Sequence, residues 1–283
     1  MRLFILGLGY SARHFVARFG GGFTHIAGTM RDPANRETIA GVEAHPFSGS
    51  GPDRETVEQI RDADVLLVSI PPGSHGDPAI AAFANTLAEK HNQKIIYLST
   101  IGVYGDHGGA WLDESTPPQA ALDRTRMRLA AEEAWAETTR GDVAILRLAG
   151  IYGPGRNALA TLRAGSARRI VKPGQVFNRI HVDDIASAIM AAVRHQGGGL
   201  WNVCDDEPAP PQDVIAYAAR LMGIAPPVEE AFETAEMSAM ARSFYAGNAR
   251  VSNARLKHDL GMTLAHPTYR QGLAALWKAG EGR

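Results

Sequence analysis

A glycine-rich segment near the N-terminus constrains the fold of this chain more than any other feature. Leu3–Leu6 is a short apolar run typical of a buried strand, and Arg13–Phe19 has the apolar spacing of a helix. Between them, Gly7–Ala12 follows the pattern G-x-G-x-x-A. In a strand–turn–helix unit, the first glycine permits a tight turn and the second lets a pyrophosphate approach the backbone, while the third small residue allows close packing. The sequence therefore predicts a dinucleotide site at this turn, with the helix N-terminus facing the phosphates.

The chain beyond this turn alternates between short apolar runs and helical stretches. Continuous apolar runs suit strands that are buried on both faces of a parallel sheet, and strand–helix alternation produces right-handed βαβ units. The predicted strands are Leu3–Leu6, His25–Ala27, Ala44–Phe47, Val65–Ile70, Ile95–Leu98, Val143–Leu148 and Leu200–Cys204. The predicted helices are Arg13–Phe19, Arg54–Arg61, Ala79–Lys90, Asp123–Thr139, Ile185–Arg194 and Pro211–Met222. We expect an α/β fold with a Rossmann-type, doubly wound parallel sheet.

The regular alternation loosens after Gly150, which indicates a second, smaller lobe. We predict that residues 1–155 form a nucleotide-binding domain to which residues 181–204 return. Residues 156–180 and 205–283 are then expected to form a smaller C-terminal lobe that binds substrate. Asp184 is interpreted as the N-cap of the helix that begins at Ile185.

Composition narrows the classes of function. Lys plus Arg (29) nearly balance Asp plus Glu (30), so the chain lacks the excess positive charge of a nucleic-acid or membrane-surface binder. The single cysteine, Cys204, excludes an internal disulfide and a cysteine-built zinc site, and the histidines show no metal-ligand spacing. No apolar run approaches the ~20 residues of a membrane span. We expect a cytoplasmic protein with no metal, nucleic-acid or membrane partner.

The residues after the second predicted strand bear on the choice of dinucleotide. About 20 residues beyond the glycine turn, NAD-binding chains carry an acidic residue for the ribose hydroxyls. Here Arg31 comes first and Asp32 follows it. A guanidinium suits a 2′-phosphate, and Arg13 is a second such group near the turn. We therefore expect NADP, with NAD as the less favoured alternative in which Asp32 is the ribose ligand.

Further motifs, in the same order along the chain, resemble the extended short-chain dehydrogenase/reductase superfamily, specifically its atypical nucleotide-sugar epimerase/dehydratase group. Leu98–Gly105 (LSTIGVYG) is similar to the S-S-x-x-V-Y-G of that group, and Asp113–Pro117 (DESTP) to its E-x-x-P. Arg147–Gly155 (RLAGIYGPG) is similar to R-x-x-x-V-Y-G-P-G, and Ile180–Asp184 (IHVDD) to V-H-V-D-D. The resemblance covers nearly the whole chain. It implies NAD(P)-dependent chemistry on a nucleotide sugar or another hydroxyl or carbonyl substrate.

The resemblance also implies which residues surround the ligands. The cofactor-binding residues are then Gly7, Gly9, Tyr10, Ser11, Ala12, Arg13, Arg31, Ile70, Pro71, Ser99, Arg128, Ala149 and Ile151. The residues on the substrate side are Tyr104, Arg156, Asn178, Arg179 and His181. In related enzymes the helices that correspond to Ala79–Lys90 and Asp123–Thr139 often form a dimer interface, so a homodimer is compatible with the sequence.

The chain departs from this family at the catalytic pair. The family carries Y-x-x-x-K on one face of a helix, closely followed by A-E; the tyrosine is the acid/base and the lysine holds the nicotinamide ribose. Arg124 and Arg128 stand at those two positions, ahead of Ala131-Glu132. Because a guanidinium keeps its proton at any working pH, Arg124 cannot act as the base. Arg128 could still hold the ribose.

A different group must therefore move the proton if the protein is an enzyme. The predicted catalytic residues are Ser99, Thr100, Tyr104, Arg124 and Arg128, with Ser99 and Thr100 orienting the substrate oxygen and Tyr104 standing in as acid/base. The alternatives to Tyr104 are Asp106, His107 and Asp113. Two functions remain open: an oxidoreductase or epimerase/dehydratase-like enzyme, and a non-catalytic NADP-binding redox sensor or regulatory protein.

Overall fold

A seven-stranded parallel sheet forms the centre of the structure, a computed structural model that describes residues 1–32, 39–89 and 92–283. In chain order, the strands of the described residues are β1 (Arg2–Leu6), β2 (His25–Met30), β3 (Glu43–Pro46), β4 (Val65–Val68), β5 (Lys94–Thr100), β6 (Trp111–Leu112), β7 (Val143–Leu148), β8 (Gly150–Tyr152), β9 (Arg169–Val171), β10 (Arg179–His181), β11 (Gly199–Val203), β12 (Glu229–Ala231) and β13 (Arg250–Val251). The α-helices are α1 (Tyr10–Phe19), α2 (Arg54–Asp62), α3 (Pro78–Glu89), α4 (Asp123–Thr138), α5 (Ala158–Arg163), α6 (Val182–Arg194), α7 (Pro211–Leu221), α8 (Ala239–Ser243), α9 (Ala254–Asp259) and α10 (Tyr269–Lys278).

The order of strands across the sheet is β11-β7-β5-β4-β1-β2-β3, and every neighbouring pair is parallel. The chain winds outward in one direction through β2 and β3 and then in the other through β4, β5 and β7. The direction of winding reverses between β1 and β4, and in such sheets a ligand crevice opens at this reversal. The predicted Rossmann-type, doubly wound sheet is confirmed.

Alternation along the strands divides the core between the two faces of the sheet. Leu3 and Ile5 of β1 belong to a cluster that also contains residues of α1 and α6. Phe4 and Leu6 belong to a second cluster, with residues of α2, α3 and α4 such as Trp135. Successive side chains of a strand point to opposite faces, so a continuous apolar run supplies both clusters.

Smaller apolar clusters lie in the second half of the chain. One contains Tyr152 and Leu159 together with residues of α7 and α10. Another contains Ile170 of β9 and Tyr245, which follows α8. Short parallel pairs, β8 with β10 and β9 with β12, connect these segments. The division into domains that we predicted from the sequence remains a proposal.

All six predicted helices are present, with ends that differ from the predicted bounds by at most three residues. The helix predicted over Ala79–Lys90 spans Pro78–Glu89, and Lys90 lies outside the described residues. The helix predicted from Ile185 begins at Val182, and its N-cap is His181, whose Nδ1 accepts from the Asp183 backbone N–H at 3.2 Å.

The interpretation of Asp184 as the N-cap of this helix was wrong. Its buried carboxylate instead accepts hydrogen bonds from the backbone N–H groups of Ala265 and His266, at 2.6 and 3.0 Å. Asp184 therefore ties the segment that precedes α10 to the start of α6. None of the helices in the described part of the chain has the length and apolarity that crossing a membrane requires.

Candidate functional site

A large cleft of about 1230 Å³ lies along the carboxyl ends of the central strands. Its wall begins at Ser11 of the glycine-rich turn and continues past Thr100, at the end of β5, and Arg128 of α4. It ends at the segment around α8, which includes Phe244. The cleft thus joins the expected dinucleotide turn to the second half of the chain, at the position where open α/β sheets bind their ligands.

The glycine-rich turn leaves open space above the N-terminus of α1. Gly9 is the N-cap of that helix, and no side chain forms a capping hydrogen bond there. The first backbone N–H groups of the helix can therefore donate to a ligand. A Cβ placed on Gly9 would meet no atom within 4 Å. Open space and unsatisfied N–H donors at a helix N-terminus are what a pyrophosphate requires. The residues of the turn therefore fit a dinucleotide.

Gly7 has a different role in the same turn. Its φ of +97° is one that side chains rarely adopt, and a Cβ there would lie 2.6 Å from Cγ2 of Ile70. Its backbone N–H donates to Oγ1 of Thr29 at 3.0 Å, which ties the turn to the end of β2. Only glycine permits this tight passage between neighbouring strands.

Tyr10 connects the turn to the loop after β8. Its hydroxyl donates to the Pro154 carbonyl at 3.0 Å, and the Arg156 guanidinium lies 5.8 Å from its ring centroid. Burial raises the pKa of Tyr10 to about 12, so its hydroxyl stays protonated. Arg156, which we predicted on the substrate side, therefore lies beside the glycine-rich turn, although it also lines the cleft.

Arg13 and Arg31 belong to two segments that meet at the glycine-rich turn. Arg13, in α1, donates from Nε to the Leu8 carbonyl at 3.2 Å. Arg31 directly follows β2 and is exposed. The backbone N–H of Leu8 donates to the Thr29 carbonyl at 2.9 Å, so the end of β2 lies against the turn. This placement fits the predicted role of both arginines, which stays a prediction.

Arg128 lines the cleft from α4. Its Nη1 donates to the Leu98 carbonyl at 2.9 Å and to the Tyr97 hydroxyl at 3.0 Å. Tyr97 is itself fully buried, and its ring packs against Trp135. One edge of the guanidinium is thus anchored on β5, while the side chain lines the cleft. This geometry fits the ribose-holding role that the family resemblance implies.

Ser99 and Thr100 differ in what their hydroxyl groups can offer a ligand. The Ser99 hydroxyl donates to the buried Glu132 carboxylate, which also pairs with Arg147, Nη2 to Oε2 at 2.7 Å. The Ser99 hydroxyl proton is therefore bonded within the core and is not available to a ligand in the cleft. The Thr100 hydroxyl oxygen instead accepts from the Gly102 backbone N–H at 3.1 Å, which leaves its proton for a partner in the cleft. Thr100 is the better candidate for binding a substrate oxygen.

Arg124 spans the cleft from α4 to the segment around α8. Its Nη1 donates to Oγ of Ser243 at 2.7 Å and its Nη2 to the Ser243 carbonyl at 3.4 Å. Its guanidinium carbon lies 4.9 Å from the ring centroid of Phe244. The register that holds tyrosine in the resembling family therefore carries a cation that reaches the far wall of the cleft.

The NAD dependent epimerase/dehydratase family matches residues 80–204 of the chain, which include β5, α4, β7 and β11. This match confirms the resemblance to the epimerase/dehydratase group that the sequence motifs predicted. It is 45% identical to a solved structure from Silicibacter pomeroyi DSS, described as a functionally unknown conserved protein, with a TM-score of 0.90 and 99% of each chain covered.

Two further proteins are similar to this chain in sequence or in fold. The chain is 31% identical over 178 residues to a 3-diazoavenalumate denitrifying reductase of Streptomyces sp, covering 56% of this chain and 59% of the reductase. It shares its fold with the UDP-glucose 4-epimerase of Thermus thermophilus, solved as a complex with NAD. That epimerase is 18% identical, with a TM-score of 0.74, 99% of this chain covered and 100% of the epimerase.

Tyr104 does not line the cleft. The side chain is only 1% exposed, and its hydroxyl donates to Oδ1 of Asn202 at 2.9 Å. Burial raises the pKa of Tyr104 above its ordinary value. The Tyr104 ring packs into the core, with the Arg147 guanidinium over it. The hydroxyl therefore does not lie where the predicted proton shuttle would border the nicotinamide.

The three alternatives to Tyr104 are placed differently from one another. Asp106 lines the cleft and is exposed, and its carboxylate accepts from the Gly108 backbone N–H at 3.1 Å. His107 and Asp113 do not line it. Asp106 is the only carboxylate in the cleft wall among the residues that the structure describes.

Of the cofactor residues implied by the resemblance, several form the cleft wall directly: Ser11, Pro71, Ser99, Arg128, Ala149 and Ile151. Asn178 and Arg179 also line the cleft, but their polar atoms form hydrogen bonds with backbone groups of the protein. Nη1 of Arg179 donates to the carbonyls of Phe177 and Ala209, and the Asn178 amide bonds the backbone of Ala249 and Val251. His181 is 2% exposed and does not line the cleft.

The sequence offered no motif for the wall formed around α8. Met237, Met240 and Phe244 line the cleft there, and no spacing or family pattern marked them. Exposed large apolar side chains were the one available signal, since Met240 is 61% and Phe244 58% exposed, but exposure is itself a tertiary property.

A polar cluster outside the cleft wall was also missed. Possible ligand atoms of His181, Asp183 and His266 lie within 4.8 Å of one another. Nδ1 of His181 already accepts from the Asp183 backbone, and burial, together with nearby His266, lowers the pKa of His181 to about 4. The histidines come from distant parts of the chain, so their spacing along the sequence could not reveal the cluster.

Proposed function

We propose that this protein is an NAD(P)-dependent oxidoreductase that acts on a carbonyl or hydroxyl substrate. The observation that carries the proposal is the continuity of the cleft. One wall joins the glycine-rich turn, where a pyrophosphate fits, to Arg128 and Thr100, where a ribose and a substrate oxygen fit. The family match and the reductase among the relatives support the same class of chemistry.

Residues of this chain would hold the dinucleotide along its whole length. The N-terminus of α1 and Gly9 would bind the pyrophosphate, with Arg156 alongside. Arg128 would hold the nicotinamide ribose, and Arg13 and Arg31 would bind a 2′-phosphate. The bound cofactor supplies or accepts a hydride. We propose NADP as the preferred form on the strength of the two arginines.

The catalytic groups are the ones whose donors face the cleft. The Thr100 hydroxyl donates a hydrogen bond to the reacting oxygen of the substrate, and the cationic Arg128 stabilises the negative charge that develops there during reduction. The oxygen then takes its proton from solvent through Thr100. In carbonyl reduction the family's tyrosine would donate this proton, and we propose that solvent, relayed by Thr100, supplies it here in place of a tyrosine at position 124.

A second candidate is a non-catalytic NADP-binding sensor. The observation in its favour is Arg124, which replaces the family's tyrosine and bonds Ser243 across the cleft. A protein of this kind would hold the cofactor and turn nothing over.

The two candidates are separated by one pair of measurements. Calorimetric titration with NADPH and NADH first establishes binding. The loss of NADPH absorbance with a panel of aldehydes, ketones and 2-oxo acids then measures turnover, with Thr100→Val expected to abolish it and Thr100→Ser to retain it. Tight binding of NADPH without consumption by any compound would favour the sensor, and no binding of either dinucleotide would refute both candidates.

A further inference from the structure

The charges that line the cleft are strongly unequal. Arginines line it at five positions: Arg124, Arg128, Arg156, Arg168 and Arg179. Opposite them, Asp106 is the one carboxylate in the wall formed by the described residues. Such a cleft attracts anions. Which anion it accepts depends on the guanidinium groups that still have donors to offer.

Four of these arginines already contact other groups of the protein. Arg168 forms an ion pair with Glu230, its Nε lying 2.9 Å from Oε1. Arg179 donates to two backbone carbonyls. Arg156 lies against Tyr10 at the glycine-rich turn, and Arg128 is anchored on β5 at the expected ribose. Arg124 donates two of its five N–H groups to Ser243, so three remain for a ligand, and it is the arginine that lies beside the apolar wall around α8.

The surroundings of Arg124 are apolar. Phe244 stacks on its guanidinium at 4.9 Å, and Met240 and Met237 line the same part of the cleft. Both Phe244 and Met240 are more than half exposed, so their faces are available to a ligand. A guanidinium binds a carboxylate in a planar, two-pronged arrangement, and an exposed ring with a flexible thioether beside it suits a flat apolar body.

We propose that the substrate is a small carboxylate with an aromatic or otherwise apolar body, bound through its carboxylate to Arg124 and through its body to Phe244 and Met240. The substitution of arginine for tyrosine then has a function: it replaces a proton-transfer group by an anion anchor. This inference rests on the proposed oxidoreductase function and names the substrate class for the same cleft.

Position along α4 places the anchor next to the chemistry. Arg124 and Arg128 are four residues apart and share a helix face. A carboxylate on Arg124 therefore lies about one helical turn from the ribose-holding group, with its neighbouring carbonyl directed towards Thr100. A nucleotide sugar, in contrast, carries a diphosphate that needs several cations. Arg128 and Arg156 lie at the part of the cleft proposed for the cofactor, and Arg168 and Arg179 already bond groups of the protein.

The experiment compares probes that differ only in charge. With the protein saturated in NADP, which is confirmed first by its own titration, calorimetry measures the affinities of benzoylformate, its methyl ester and UDP-glucose. We expect benzoylformate to bind at least tenfold more tightly than the ester. Arg124→Gln should abolish this preference while leaving the affinity for NADP unchanged.

Two control variants separate anion binding from a structural role of Arg124. Arg126→Gln removes an exposed arginine of the same helix that pairs with Asp123 outside the cleft, and should keep the preference. Ser243→Ala removes a hydrogen bond to Arg124 and should also keep it, since the guanidinium remains.

The results that overturn the proposal are equally specific. They are equal affinity for benzoylformate and its ester in the wild type, no measurable binding of benzoylformate, tighter binding of UDP-glucose, or an unchanged preference in Arg124→Gln. Failure to bind NADP would instead refute the proposed function itself, before any probe is added.

Discussion

Arg147 and Glu132 form a buried ion pair directly beneath the cleft, with Nη2 and Oε2 2.7 Å apart and both side chains 5% exposed. The same carboxylate accepts the Ser99 hydroxyl. Residues of β7, α4 and β5 thus meet at one carboxylate, which holds the helix that carries Arg124 and Arg128 against the sheet. The placement of the cleft-facing arginines depends on this contact.

We expect Glu132→Gln to destabilise the fold. The change leaves the Arg147 cation buried without its counter-charge, and breaking a buried pair in this way costs on the order of 3 kcal/mol. Chemical denaturation measures the free energy of unfolding. Glu133→Gln, at the exposed neighbouring position, should change it by less than about 0.5 kcal/mol; equal effects of the two changes would show that the pair has no special role.

Gly9→Val should remove cofactor binding without harming the fold. Its φ of −86° suits any residue and an added Cβ meets no atom, so stability should fall by no more than about 1 kcal/mol, the cost of valine at an N-cap. The side chain, however, occupies the space that a pyrophosphate needs. We expect the affinity for NADPH to fall at least tenfold, about 1.4 kcal/mol. Gly22→Val, at another open glycine, is the matched control. Normal affinity in Gly9→Val would place the phosphates elsewhere.

Arg31→Gln should weaken NADPH binding more than NADH binding. A charge-assisted hydrogen bond to the 2′-phosphate contributes about 1.5–3 kcal/mol, so a tenfold or larger selective loss is expected in calorimetric titrations. Arg54→Gln, which removes an exposed arginine paired with Glu58 on α2, should affect neither dinucleotide. If the wild type prefers NADH tenfold, Asp32 becomes the ribose ligand and the assignment of Arg31 is wrong.

Tyr104→Phe should retain turnover once a substrate is known. The Tyr104 hydroxyl is bonded to Asn202 in the core, so its removal leaves the amide oxygen of Asn202 without this donor and costs about 1–3 kcal/mol of stability. Measurement of kcat and of the free energy of unfolding separates the two effects. Loss of kcat with normal stability would restore Tyr104 as a proton shuttle.

Asp205 should make stability fall as the pH rises. Burial raises the pKa of this carboxyl to about 8, and Oδ2 has no partner among the described residues. A carboxyl whose pKa is raised in the folded state favours folding at low pH, and that contribution is lost between about pH 4 and pH 8. Relative to Asp205→Asn, the wild type should lose stability across this window in denaturation curves. Parallel curves would show that Asp205 does not titrate in the folded protein.

Much of the part of the cleft that we propose binds the cofactor could be predicted from the sequence, because the patterns that mark it consist of neighbouring residues. The pattern of Gly7–Ala12 and its position between an apolar run and a helix specify the turn, and the structure places Gly9 at the N-terminus of α1 as that pattern requires. Apolar runs of the right length specified the strands of the sheet in the same way. The substrate half has no such pattern, since it is assembled from segments that are far apart in the chain.

The sequence by itself therefore determined the doubly wound fold, the glycine-rich turn and the presence of Arg124 and Arg128 on one helix face, since each depends on residues within a few positions of one another. Only the tertiary structure decided that Tyr104 lies in the core, that the Ser99 proton goes to Glu132 and that Arg124 meets Phe244. Each of these contacts joins residues from separate elements. Spacing along the chain does not encode which hydroxyl faces a cleft, because that depends on how those elements pack.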